Sequence, residues 1–275
     1  MLTLWPLFLV FASTSACAER LELALPAAPA RVQDLSFDHA HARWTAVLGR
    51  YLRDGRLDYE VLGRERGELD QYLLDLRAVG REDFAGWSRE QRYAFWINAY
   101  NAFTVHLVLS RYPVKSIRDI GTTLSPVWKK EFVPLGHLYG AGTTDLISLD
   151  TIEHRILRPE FEDARVHAAV NCASLSCPTL APEAFRAETL DAQLDAGVLA
   201  WLSDAALNRY DASQRRAEVS AIFDWFEEDF ARDAGSVQAW IAQHGPESAG
   251  WMAEGEVELR FLDYSWELND VPRDR

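Results

Sequence analysis

The stretch SREQRYAFWINAYNAFTVHLVLSR, residues 88–111, decides how the rest of the chain must be arranged. Ser88 followed three residues later by Gln91 is a capping box, the reciprocal side-chain to backbone signature of a helix start. The pattern predicts a helix from about Arg89 to Arg111, stopped by Tyr112-Pro113, because the residue before a proline avoids the helical region. A surface helix keeps one polar face; this one is apolar nearly all round, which predicts burial in the middle of the domain. Asn98 and Asn101 are the exceptions. Three apart, they share a face with Ala94, Ala102 and Val105, small enough to let another backbone come close. A buried amide costs free energy unless its hydrogen bonds are met, so something across the interface must answer both. Either the pair pins loop carbonyls, or it orients a catalytic residue and donates to a developing oxyanion. His106 points elsewhere on the helix and reads as structural.

Working outward, Ala40, Trp44, Val47, Leu48 and Tyr51 recur at helical spacing within 37–52, and Gly55 ends that helix. Leu57-Asp58-Tyr59 reads as a short extended piece. Leu69, Tyr72, Leu73 and Leu76 mark a second amphipathic helix closing near Gly80. Downstream, Gly136 to Ile147, with Gly140 and Gly142, reads as a hairpin. Ser148 caps a further helix with Ile152 and Ile156 facing the core and Pro159 ending it. Arg165 to Val170 reads as a strand, followed by the loop Asn171 to Pro178. Helices are expected at about 189–203, 221–230 and 236–243, and a last strand at Val257 to Leu262. Short, separated strands among prevailing helices predict an α+β fold: a predominantly helical single domain with a small sheet and a buried central helix. Residues 1–18 read as a signal peptide, 19–54 as an N-terminal arm and helix, and 55–269 as the main domain, forming one compact unit with 35–54.

The leader rests on the apolar run Leu2 to Ala12, then Ala16-Cys17-Ala18, a small-x-small cleavage pattern. The run is too short to span a bilayer. Cleavage after Ala18 makes the protein exported, periplasmic or extracellular; a lipoprotein acylated at Cys17 is the alternative. The formal net charge of −14 repels nucleic-acid phosphate and anionic lipid, so neither a nucleic acid partner nor an anionic-lipid partner is expected. No further apolar segment is long and uncharged enough to cross a membrane, so no membrane span is expected. No glycine loop for phosphate or dinucleotide is present, and no cofactor is expected. His154, His167, Cys172 and Cys177 are of the right types for zinc, but their spacings match no common template, so no metal is expected either.

Chemistry concentrates in two places. A strand that ends in Asn171-Cys172-Ala173-Ser174 is where a nucleophile can be presented on a loop. Three readings of the cysteines stay open: a reactive Cys172 thiol, a Cys172–Cys177 disulfide, and buried apolar filler. A thiol nucleophile needs a base or cation beside it, and His154 is the favoured supplier. His167, five residues before Cys172 on the expected strand, starts on the opposite face; His137 is a weak third. This makes a cysteine-dependent hydrolase or acyl transferase, with Cys172 as nucleophile, His154 as base and Asn98, or less favourably Asp224, as orienter. Asn101, Asn171, Ser174 and Asp224 would meet an unknown small-molecule or peptide substrate. The alternative is a non-enzymatic binding or scaffold module of the cell envelope. In it the two cysteines are bridged, and Asn98, His154 and Asp224 form a buried polar network.

Three blocks, Trp96 to Ala102, Ser148 to Arg158 and His167 to Pro178, together resemble the signature blocks of the family catalogued as domain of unknown function 547. Phe223 to Phe226 with Asp229-Phe230, and Tyr264 to Asn269, are similar to its closing motifs. The likeness runs from about Gly55 to Asn269, with Tyr264-Ser265-Trp266 standing where Tyr-Asp-Trp is common. It implies a shared fold and singles out Asn98, His154 and Cys172 as motif positions; it implies no reaction.

Overall fold

Ser88 opens the central helix as a capping box requires, its hydroxyl accepting from the Gln91 amide and the Gln91 side chain from the Ser88 amide. The computed structural model describes residues 19–23, 36–140 and 145–273, so the leader 1–18 lies outside the described residues. Ahead of the central helix come α1 (Ala42–Tyr51), β1 (Leu52–Arg53), β2 (Arg56–Leu57), α2 (Tyr59–Arg64), α3 (Gly67–Ala78) and α4 (Arg81–Ala85). The central helix, α5, spans Arg89–Leu109 and is buried without interruption from Tyr93 to Val108. Burial on every face explains the missing polar stripe, since each neighbouring layer receives apolar side chains. Some buried polar groups on α5 are answered: Thr104 Oγ1 donates to the Tyr100 carbonyl at 2.8 Å, and His106 Nδ1 meets Arg66 at 2.7 Å, while His106 Nε2 and the Tyr93 hydroxyl have no hydrogen-bond partner among the described residues.

Beyond α5, three segments, α6 (Leu149–Thr151), a π turn (Ile152–Leu157) and α7 (Arg158–Phe161), run as one helical stretch. Ser148 caps it, accepting from the Thr151 amide. Pro159 does not end this helix. It sits in the first turn of α7, where a missing N–H costs little, directly after the widened π turn. The expected strand 165–170 is a 3-10 turn, Ala164–Ala168, started by Asp163 Oδ1 accepting from the Arg165 amide. Val166, His167 and Ala168 are all buried, so the alternation a half-buried strand needs is absent. Between 136 and 147 the structure has a 3-10 turn at Gly136–Leu138 and an antiparallel bridge of Val133 with Ile147; residues 141–144 lie outside the described residues. Asp58 and Tyr59 are not extended: Asp58 caps α2 through the Val61 amide.

The C-terminal part holds α8 (Leu190–Ser203), β3 (Arg209–Asp211), β4 (Arg216–Val219), α9 (Ile222–Trp225), α10 (Glu227–Ala234), α11 (Val237–His244) and β5 (Glu258–Phe261). β3 and β4 pair antiparallel, and β5 joins β4 in parallel. The β3–β4 hairpin was not expected from its polar sequence. A second core of Trp201, Phe223, Phe230 and Trp240 packs under this sheet and the helices, with Trp201 stacked on Phe223 at 4.7 Å. The chain then returns to the first half: Leu57 bridges Asp270, and Ser174 bridges Leu268. Among the described residues the fold is thus α+β, predominantly helical, with two small sheets and a buried central helix.

Candidate functional site

Asn101 builds the cysteine loop. Its Nδ2 donates to the Ala169 carbonyl at 2.8 Å and its Oδ1 accepts from the Asn171 amide at 2.9 Å, holding the chain on both sides of the bend. Asn171 continues the work inside the loop. Its Nδ2 donates to the Pro178 carbonyl at 2.7 Å, and its Oδ1 accepts from the Ala173 amide at 2.7 Å and from Asn269 Nδ2 at 3.1 Å. Ala173 takes a left-handed conformation, φ 60°, which turns the chain sharply after Cys172. Residues 264–269 close the loop from outside. Leu175 donates to the Glu267 carbonyl at 2.8 Å, Asn269 to the Ala173 carbonyl at 3.1 Å, and the Ser265 amide to Ser176 Oγ at 2.8 Å.

This frame sets the two sulfurs 2.8 Å apart. Cys177 is buried and Cys172 part-exposed, and both are free cysteines. The Cys172 amide donates to Cys177 Sγ at 3.2 Å. Tyr264 Oη lies 3.0 Å from Cys177 Sγ, 3.2 Å from Cys172 Sγ and 2.6 Å from Ser174 Oγ. Ser174 Oγ is itself 3.3 Å from Cys172 Sγ and 3.4 Å from Cys177 Sγ. Burial pushes the Cys177 thiol up, but hydrogen bonds from Cys172, Ser174, Tyr264 and the Cys172 amide outweigh it and bring Cys177 down to about 7. Cys172 goes the other way, held up first by its hydrogen bond to Cys177 and then by burial. The pair therefore shares one proton near neutral pH, with the negative charge centred on Cys177. Tyr264 is held protonated by burial and then by the two sulfurs, so its hydroxyl remains a donor.

His154 makes no hydrogen bond to this cluster. Its Nδ1 faces Arg158 at 3.1 Å, its Nε2 stands 3.8 Å from Asp150 Oδ1, and its ring lies against Phe226 at 5.9 Å. The sulfur partners of Cys172 are Ser174, Cys177 and Tyr264. Asn98 does not reach the imidazole either: it grips the Phe185 backbone, donating to the carbonyl at 2.8 Å and accepting from the amide at 3.0 Å. Asp224 is exposed on α9 and bonds to no side chain of the site. His167, expected to point away on a strand, is buried on the 3-10 turn with Nε2 2.8 Å from Asp229 Oδ2 and its ring 4.1 Å from Phe226. Asp229 also accepts from Arg158 Nε at 2.6 Å and Arg232 at 2.9 Å. Burial opposes the charge on Asp229, but His167 and Arg158 overcome it and hold the carboxyl well below its usual range.

The structure thus brings together Asn101, Asn171, Cys172, Ser174 and Cys177, and no hydrogen bond links His154, Asn98 or Asp224 to the sulfurs. Sequence reasoning gave no role to Tyr264 or Asp229. Both stood in the closing motifs, but nothing local marks a tyrosine as the partner of a cysteine some 90 positions away. Among the described residues no three His, Cys, Asp or Glu side chains converge on a cation position, and no helix is long and apolar enough to cross a membrane. A surface recess of about 530 Å³ at α11 and the approach to β5, lined by Gln238, Met252 and Glu256 among others, holds none of the candidate residues.

No curated protein and no solved structure matches this chain. Residues 84–202, which include α5, the His154 helix and the cysteine loop, match the family model described as protein of unknown function, DUF547, and the chain carries a domain of that family.

Proposed function

We propose that the chain is a thiol protein whose reactive unit is the Cys172–Cys177 pair, acting by thiol–disulfide exchange on a disulfide-bearing peptide or protein. The observation that carries this reading is the 2.8 Å sulfur pair with backbone and hydroxyl donors converging on Cys177. Passing the shared proton from Cys172 to Cys177 makes the part-exposed sulfur a thiolate, so Cys177 fills the role of base that sequence reasoning assigned to His154. Cys172 then attacks the partner disulfide, forming a mixed disulfide and releasing one partner thiol. Cys177 attacks Cys172 Sγ in turn, leaving a Cys172–Cys177 disulfide and a fully reduced partner. The leader-like residues 1–18 support an exported protein, in a compartment where such disulfides occur.

The test is a small-molecule disulfide followed by intact mass. Cys177→Ser should accumulate a mixed disulfide on Cys172, wild type should lose two hydrogens, and Cys172→Ser should do neither. A Cys177→Ser protein that stays unmodified sinks the reading. Cysteine hydrolysis ranks second, on the strength of the carboxylate and imidazole of Asp150 and His154 on one helix turn. A loss of Cys172 labelling rate in His154→Ala at fixed pH would favour it.

A further inference from the structure

The turn after Gly121 displays a leucine. The Thr122 and Ser125 amides each donate to the other residue's carbonyl, at 3.0 and 3.2 Å, leaving Thr123 and Leu124 at the tip. Gly121 lets the turn fold this tightly, since a Cβ there would stand 2.6 Å from the Val127 nitrogen and 2.9 Å from the Ser125 carbonyl oxygen. Ser125 Oγ also bonds the Glu19 carboxylate. Leu124 is nevertheless 97 % exposed, so its exposure is built into a bonded turn. Beside it Trp128 stacks on Trp266 at 5.5 Å, and the Arg118 guanidinium lies 5.3 Å from the Trp266 ring.

Cations gather around this turn, with the carboxylates Glu19, Asp119 and Glu131 among them. The three lysines of the chain, Lys115, Lys129 and Lys130, all fall between positions 115 and 130, together with Arg118 and a single carboxylate, Asp119. Lys130 pairs with Glu19 at 3.0 Å, and Asp119 accepts from the Lys115 and Ser116 amides. Lys115, Arg118 and Lys129 remain exposed. Asp224 and Glu267, next in the chain to Trp225 and Trp266, are exposed as well. We infer that the 122–125 turn, with Trp128 and the cations Lys115, Arg118 and Lys129, is a docking face for an anionic lipid surface. The protein would sit on that surface without crossing it. A protruding leucine beside tryptophan and cations has the composition of an interfacial segment: the apolar tip enters the acyl boundary, the indole rests at headgroup level, and the cations meet lipid phosphate. The net charge of −14 argues against lipid only when charge is averaged over the whole surface.

The inference is independent of the thiol reading. Its test is flotation of the full chain with phosphatidylcholine vesicles, with and without phosphatidylglycerol. Binding should require the anionic lipid and weaken as salt rises. Leu124→Asp should bind about tenfold more weakly or less, with unchanged melting, since the side chain touches solvent only. Lys115→Glu with Lys129→Glu should bind more weakly and with a smaller salt dependence. No binding at low salt overturns the inference, as does Leu124→Asp binding like wild type. A dimer dissociated by Leu124→Asp, without vesicle binding, would assign the face to a second copy and overturn it too.

Discussion

The backbone amide of Cys172 donates to the sulfur of Cys177 at 3.2 Å, so the residue that would attack also holds its partner's charge in place. A backbone donor cannot be lost by rotation of a side chain. Tyr264, 3.0 Å from the same sulfur, can be removed, and its loss should raise the Cys177 thiol. A hydrogen bond to a charged group contributes about 1.5–3 kcal/mol, which corresponds to roughly one to two pH units. The Cys177 thiol, brought down to about 7 in the wild type, should therefore titrate higher by that order in Tyr264→Phe, read as the pH midpoint of alkylation. An unchanged midpoint would show that the hydroxyl bonds Ser174 and leaves the thiolate unsupported.

Asn98 and Asn101 are distinguishable by experiment. Each grips the backbone of another segment with both amide ends, and truncation leaves buried groups unpaired. Asn98→Ala and Asn101→Ala should each cost about 2–4 kcal/mol in urea unfolding. Only Asn101→Ala should also change the rate of cysteine labelling under native conditions, because only Asn101 holds the loop that carries the sulfurs.

Asp229 holds Arg158, Arg232 and the buried His167. Asp229→Asn should destabilise by about 1.5–3 kcal/mol, since it removes the charge of a buried carboxylate that three side chains bond, leaving Arg158 with Glu228 and Arg232 with Asp233. The carboxyl titrates below its unfolded value, so its contribution is present above about pH 4 and is lost as pH falls further. Wild type and Asp229→Asn should therefore converge in stability toward low pH in parallel denaturant series.

His41 and His106 give the opposite end of the acid limb. Burial lowers His41 from 6.5 to about 3 and His106 to about 4, so both stay neutral in the fold while the unfolded chain takes up protons. Their contribution is full above pH 6.5 and falls below it, by at most about 1.4 kcal/mol per pH unit for each ring. His106→Gln should flatten the slope of unfolding free energy between pH 6 and 4. A slope equal to wild type would place the proton uptake elsewhere.

What was legible in the sequence was local. The Ser88–Gln91 box, the all-round apolar run and the need of two asparagines for buried partners can be read from neighbouring residues, and the structure matches them. The partners themselves were not legible. Phe185 lies 87 positions from Asn98, and Tyr264 lies 92 from Cys172. Imidazoles commonly serve cysteines as bases, which favours His154 from sequence, and nothing local marks Cys177 as more than a bridge or filler. The segment 165–170 looked like a strand because Val166 and Val170 are β-formers, but Asp163 capping the Arg165 amide, with alanines around it, set a 3-10 turn instead.

The double grip of Asn101 also orders events in time. Its bonds to Ala169 and Asn171 span 68 and 70 positions, and the 264–269 segment reaches the loop from about 90 positions further on. Closing such loops costs chain entropy before any contact rewards it, and far-apart contacts form late in folding. During synthesis Cys172 and Cys177 leave the ribosome well before Tyr264 and Asn269. The two thiols thus pass through a period in which Asn101 and Asn171 can frame the loop but the Tyr264 hydroxyl and the 264–269 segment do not yet close it.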